Sequence, residues 1–402
     1  MKKHVGDRLR VTQFHRRGEV EPRSTRNGLA KVATLWLCLL CATKPFAQTP
    51  DAADQGTATI TTFNVTEAGT GNGQGTFALA INKTGAATGY YVDAINVAHG
   101  FVRASDGTII SFDVVGAGTM PNQGTFPCTI NDAGEISGWY IDGANVSHGF
   151  VRAADGMTTT FSAPGVPFGG PSGENKNARF SINTAGAVAG YSANAKGVYH
   201  GFIRAATGKI MTFEAPGAGN TTNRGTAALA INDSGTVTGT YVDASGQTGL
   251  EHGFVRSASG VIASFEAGPG TLNGTVGGSI NSSGVITGVY IDDKNVYHGF
   301  VRAVNKTIKL FNVVGAGNAV GQGTVATCIN SAGMVAGSYI DKNYGLHGFV
   351  RAAAGTISKF DVPGAGTSKF QGTVGVSINS TGEIVGFYVD ATRVAHGFVR
   401  SP

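Results

Sequence analysis

His99-Gly100-Phe101-Val102-Arg103 returns six more times along the chain, with its histidine at His148, His200, His252, His298, His347 and His396. Only the third copy varies, carrying Ile203 in place of Val. The spacings of 49, 52, 52, 46, 49 and 49 residues mean that one structural unit is repeated. Periods near 20–50 residues belong to solenoids, propellers and arrays.

Aligning the copies divides each unit into four short segments rich in β-branched or aromatic side chains, with no stretch of helical period. Segment A runs from Gly-Thr to Ile-Asn, as at 75–82, 124–131, 225–232 and 372–379. A glycine follows three residues after that Asn in every unit, from Gly85 to Gly382. Asn opens the turn with its side chain and Gly takes the positive φ, so A and B form a tight hairpin. Segment B carries a second glycine (Gly89 in the first unit) and then usually Tyr-x-Asp. A glycine inside a strand marks the close approach of another backbone. Segment C is the His-Gly-Phe strand, and segment D ends at Phe63, Phe112, Phe161, Phe213, Phe265, Phe311 and Phe360.

A lone D segment at 58–65 precedes the first A, and Pro402 follows directly on the last C. Pairing that first strand with the last completes a ring. The expected fold is therefore all-β: a seven-bladed β-propeller of four-stranded blades, closed by the N-terminal strand against the C-terminal strand. The small side chains of segment A, such as Ala78 and Ala80, suit the crowded innermost position. A β-solenoid is the alternative.

The recurring Ile-Asn-x-x-Gly-x-Ile/Val-x-Gly-x-Tyr, followed by His-Gly-Phe and Gly-x-Ile-x-x-Phe, resembles the bacterial extracellular repeat called the HAF family. The likeness spans residues 58–402 and departs from a His-Ala-Phe triplet by having Gly in all seven copies. It implies an exported bacterial protein with a propeller-like fold and carries no defined reaction.

The formal charge of +5 is misleading, because residues 1–47 hold 10 of the 30 basic and 3 of the 25 acidic residues. The remainder has 20 basic against 22 acidic residues, a formal charge of −2, which excludes a nucleic-acid binder of the usual basic kind. Residues 1–47 combine a long basic region, an apolar run at 32–42 and Ala47 as a cleavage point. That pattern reads as a secretory signal, too short to span a bilayer, with 48–57 a short linker and 58–402 the propeller. The expected location is extracellular or periplasmic. Cys128 and Cys328 occupy non-equivalent strand positions and read as small buried apolar residues, not a bridge.

A histidine present in every unit reads as structural, bonded to the Tyr-x-Asp turn, rather than as a catalytic base. The motif arginines, from Arg103 to Arg400, read as blade-to-blade ion pairs or stacking groups. No metal or other cofactor is expected. Asp292-Asp293-Lys294-Asn295 and Asp142-Gly143-Ala144-Asn145 offer oxygen donors to Ca²⁺, but neither has the spacing of an EF-hand loop.

Departures from the repeat point to the binding surface instead. The aberrant crossing at 164–176 brings Phe168, Glu174 and Lys176, followed by Arg179. The lengthened B–C loop of unit four brings Gln247 and Glu251, and Trp139, Tyr199, Tyr297 and Tyr344 offer aromatic surface for sugars or peptides. The expected function is that of a secreted, monomeric, non-catalytic repeat protein binding a protein or glycan through one loop face. A polysaccharide lyase or hydrolase using Glu174 or Glu251, and a structural envelope or matrix component, are the alternatives.

Overall fold

The computed structural model describes residues 58–162, 180–246, 249–269 and 274–402. The leader at 1–47 and the linker at 48–57 lie outside the described residues, as do Phe168, Glu174, Lys176, Arg179 and Gln247. The described chain is all-β, with no helix and 28 strands.

The first complete unit sets the pattern with strands β2 (Gly75–Ile81), β3 (Ala87–Val92), β4 (Ala98–Arg103) and β5 (Ile109–Phe112), each antiparallel to the one before. These are segments A to D in order. Five of the junctions between units carry a single parallel bridge among the described residues, as Ala98↔Gly124 does. The ladder bonds group the strands into one sheet of 20 and another of eight. Unit three is the weak copy, its A strand reduced to Ser181–Ile182. At the start of the described chain, β1 (Thr59–Phe63) pairs antiparallel with β28 (Ala395–Ser401), in register from Thr59↔Ser401 to Phe63↔Gly397.

The two glycines of the motif have separate causes. Strand A bulges at its centre, as between Ala78 and Ala80, and pushes a carbonyl toward strand B. A Cβ on Gly89 would collide with the Phe77 carbonyl, so only glycine fits opposite the bulge. On strand C the neighbour is a ring: a Cβ on Gly100 would sit 2.7 Å from Cζ of Phe112, which lies flat across that glycine. The next residue, Phe101, is fully buried, as are Phe150, Phe202, Phe254, Phe300, Phe349 and Phe398. Each such burial contributes about 1.5–3 kcal/mol.

Units also grip one another through repeated side-chain contacts. The outer-strand Phe of one unit meets the motif Phe and the motif Arg of the next: Phe112 packs edge-on to Phe150 at 6.3 Å, and Arg152 lies 4.7 Å above the Phe112 ring. All seven motif arginines stack in this way, so stacking, not ion pairing, is what joins them to the neighbouring unit. Arg103 takes its ring from Phe63 of β1.

The asparagine ending each A segment does two things at once. Its Oδ1 accepts the backbone N–H groups of the hairpin turn, as Asn82 does from Thr84 and Ala86. Its Nδ2 donates to the carbonyl of the equivalent asparagine one unit on: Asn82 to Asn131, then Asn183, Asn232, Asn281, Asn330 and Asn379. Asn379 in turn donates to Asn82.

Candidate functional site

The end of the molecule opposite the asparagines is built from B–C turns and from the crossings that lead into each A strand. Each turn is shaped by one carboxylate or amide: Asp93 Oδ1 accepts the N–H groups of Ile95 and Val97, and Asn96 adopts a φ of 65°. The crossing is clamped to the turn by the residue before the Gly-Thr pair. Gln74 accepts from the Gly71 N–H and donates to the Ala94 carbonyl and the Asn96 side chain. Gln123, Gln322 and Gln371 repeat the clamp onto Gly143, Lys342 and Ala391, and Arg224 substitutes for it on Asp243 and Gly246. Turns and crossings thus share one face.

Beneath that face each motif histidine is fixed on three sides. His99 stacks on Tyr91 at 4.9 Å, with Nε2 facing Asp93 at 3.4 Å and Nδ1 facing Asp113 at 2.8 Å. His396 makes the same contacts to Tyr388, Asp390 and, through Nδ1, Asn64 beyond the end of β1. Unit three breaks the pattern: Ser192 occupies the tyrosine position and Asn194 Nδ2 faces His200 at 3.0 Å.

These contacts bias the charge states. The hydrogen bond to Asp113 raises the His99 pKa against the opposing effect of burial, and the bond to Glu266 does the same for His252. At His347 burial lowers the pKa, yet hydrogen bonds and the charges of Asp341 and Asp361 outweigh it and lift the imidazole to about 9. Asp243 is desolvated, which raises its pKa, but bonds from Ser245, Leu250 and His252 bring it down to about 2. His99, His252 and His347, each held between two carboxylates, are poorly suited to accept a proton from a substrate.

The aromatic residues expected on this face are mostly core. Trp139 is buried and stacks on Phe126 at 4.2 Å, between two units. Tyr199 and Tyr297 are buried at the foot of their C strands. Glu251 is not in a loop: it is the first residue of a strand at Glu251–Arg256, paired with Val242 and 4% exposed. Its side chain is buried, which corrects its expected place in the lengthened B–C loop.

Tyr344 is the exception. It is half-buried in the B–C turn of unit six, where its hydroxyl donates to the Val320 carbonyl at 3.1 Å. Two residues not singled out by their sequence join it from the following crossing. The Phe370 ring stands edge-on to Tyr344 at 5.9 Å, and Lys369 Nζ lies 4.3 Å from the centre of the tyrosine ring and 5.0 Å from that of Phe370.

Among the described residues no group of three or more His, Cys, Asp or Glu is placed to hold a metal ion, and Cys128 and Cys328, both half-buried, form no disulfide. No helix there is long and apolar enough to cross a membrane. No protein-family model and no curated protein sequence matches the chain.

Solved structures do match. The BP39L lectin of Burkholderia pseudomallei aligns with 80% of this chain and 94% of its own, at 10% identity and a TM-score of 0.52. An acylaminoacyl peptidase of Pyrococcus horikoshii aligns over 80% of this chain and 51% of its own, at 9% identity and a TM-score of 0.50. A fungal lectin from Aleuria aurantia, described as a six-bladed β-propeller, covers 66% of this chain at 12% identity, with a TM-score of 0.37 that bears no weight. The likeness is one of fold. A lectin and a peptidase share it, so function has to be argued from the face itself.

Proposed function

We propose that this chain is an exported, seven-bladed β-propeller that binds a glycan through the face of B–C turns and crossings. Closure is supported by independent bonds that join residues far apart in sequence: the ladder of β1 with β28, Ala395 N–H to the Gln74 carbonyl, His396 to Asn64, Arg103 over Phe63 and Asn379 to Asn82. A solenoid has no contact that returns from its last repeat to its first. Export rests on the leader at 1–47 and on the resemblance to HAF repeats.

The observation that carries the binding reading is the aromatic and cationic trio of Tyr344, Phe370 and Lys369 on that face, in a fold shared with a lectin over 94% of the lectin's length. A glycan array probed with the purified protein tests it, beside a reducing-sugar assay on the glycans retained. Retention without release of reducing ends is the expected result. Release of reducing ends makes the protein an enzyme, and an array with no retained glycan removes the glycan reading.

A further inference from the structure

Tyr344 and Phe370 stand at left-handed backbone positions that most other units fill with Asn or Gly, Arg393 of unit seven (φ 69°) being the other bulky occupant. Tyr344 has a φ of 65° where Asn96, Asn145 and Asn295 have 65°, 63° and 61°. Phe370 has a φ of 62° where Asn122 and Asn223 have 68° and 61°, and where Gly73 and Gly321 also sit. Asn and Gly enter this region readily, whereas a bulky aromatic residue there is an outlier. Such strain persists where something over-determines it, and two strained aromatic residues lie side by side: the Phe370 N–H donates to the Tyr344 carbonyl at 2.8 Å. This junction of units six and seven is also locally basic. Lys369 is exposed above the two rings, Lys342 belongs to the turn on one side and Arg393 to the turn on the other. The acids of those turns are turned inward: Asp341 and Asp390 each accept two backbone N–H groups of their own turn and face His347 and His396.

We infer that the Tyr344–Phe370–Lys369 cluster is the ligand subsite of this face and that it takes an acidic saccharide, a pyranose bearing a carboxylate. The C–H face of the sugar stacks on the aromatic pair, and its carboxylate pairs with Lys369 beside Lys342. A neutral sugar satisfies the rings and leaves Lys369 unmatched; an acidic peptide satisfies the lysines and leaves the rings. This inference rests on the glycan-binding reading above and goes beyond it in naming place and ligand class.

The test is calorimetric titration of the full chain with hexameric oligogalacturonate, its methyl ester and a hexameric Glu peptide. Wild type is expected to bind the oligogalacturonate at least tenfold more tightly than either control. Tyr344→Asn combined with Phe370→Gly restores the residues of the other units, and is expected to weaken that binding at least tenfold with Tm unchanged or raised. Lys369→Met is expected to reduce the preference for acid over ester while leaving the fold untouched, which keeps the test decisive if the double variant is destabilised. Equal binding of acid and ester, equal binding of the Glu peptide, or unaltered affinity in the variants overturns the inference. So does absence of oligogalacturonate binding; if a glycan array still retains other glycans, the broader reading of the face survives.

Discussion

The side-chain amide of Asn379 donates to the backbone carbonyl of Asn82 at 3.1 Å, across 297 residues of sequence. In a closed ring this bond is equivalent to the one from Asn281 to Asn330, at 3.0 Å. Replacing either donor with alanine removes an inter-unit bond and leaves buried turn N–H groups without their acceptor, a loss of about 2–4 kcal/mol. Asn379→Ala is therefore expected to lower stability at least as much as Asn281→Ala in urea denaturation, since Asn379 also bonds the Glu383 carboxylate and the Thr381 hydroxyl. An Asn379→Ala cost well below that of Asn281→Ala means the ends do not meet.

Deleting residues 58–65 tests the same closure more severely. It removes β1, exposes the edge of β28, and takes the ring from Arg103 and the Nδ1 partner from His396. The expected consequence is a fall in Tm on the order of 10 °C, against a small change for Asn64→Ala alone. Thermal melts of the two variants decide it.

Gly149→Ala is expected to destabilise by about 1–3 kcal/mol, because its Cβ falls 2.5 Å from the Phe161 ring. The cost is expected to drop when Phe161→Leu vacates that space. A double-mutant cycle that returns no coupling between the two positions sinks the account of why glycine follows the histidine.

Much of the architecture was legible because each turn announces itself: the Asn-x-x-Gly hairpins and the Tyr-x-Asp turns have local chemical signatures. The binding residues were harder to read for a physical reason. Strand B is covered on both faces, so Trp139, on a strand buried throughout at Ile136–Ile141, shows none of the alternation that separates core from surface. Tyr199 and Tyr297 are concealed by crossings that join them only in three dimensions. Phe370 lies 26 residues beyond Tyr344, in the next unit, and nothing local to either marks the pair; the glutamine clamps, spanning 20 residues or more, were hidden for the same reason. The one available signal was an aromatic residue where most other copies have Asn or Gly.

The raised pKa of His347 makes stability depend on pH in a stated direction. A histidine whose folded pKa of about 9 exceeds the unfolded value of about 6.5 stabilises fully below pH 6.5, and this stabilisation is lost as pH rises through 9. His99 and His252, also shifted upward, add to the same slope. Tm is expected to fall between pH 6.5 and 9, and His347→Asn to flatten that fall. A wild-type Tm that is level or rising across this window contradicts the imidazole–carboxylate bonding.

Unit three offers the complementary gain. His200 Nδ1 faces Glu214, as His252 faces Glu266, but its other nitrogen meets the amide of Asn194 where the sibling units place an aspartate. Asn194 Oδ1 already shapes the turn by accepting from Lys196 and Val198, and an aspartate keeps those bonds. Asn194→Asp therefore adds a carboxylate beside His200 at no cost to the backbone. The variant is expected to be more stable than wild type by about 0.5–1 kcal/mol in urea denaturation. A variant no more stable than wild type would show that the turn acid does not hold the imidazole.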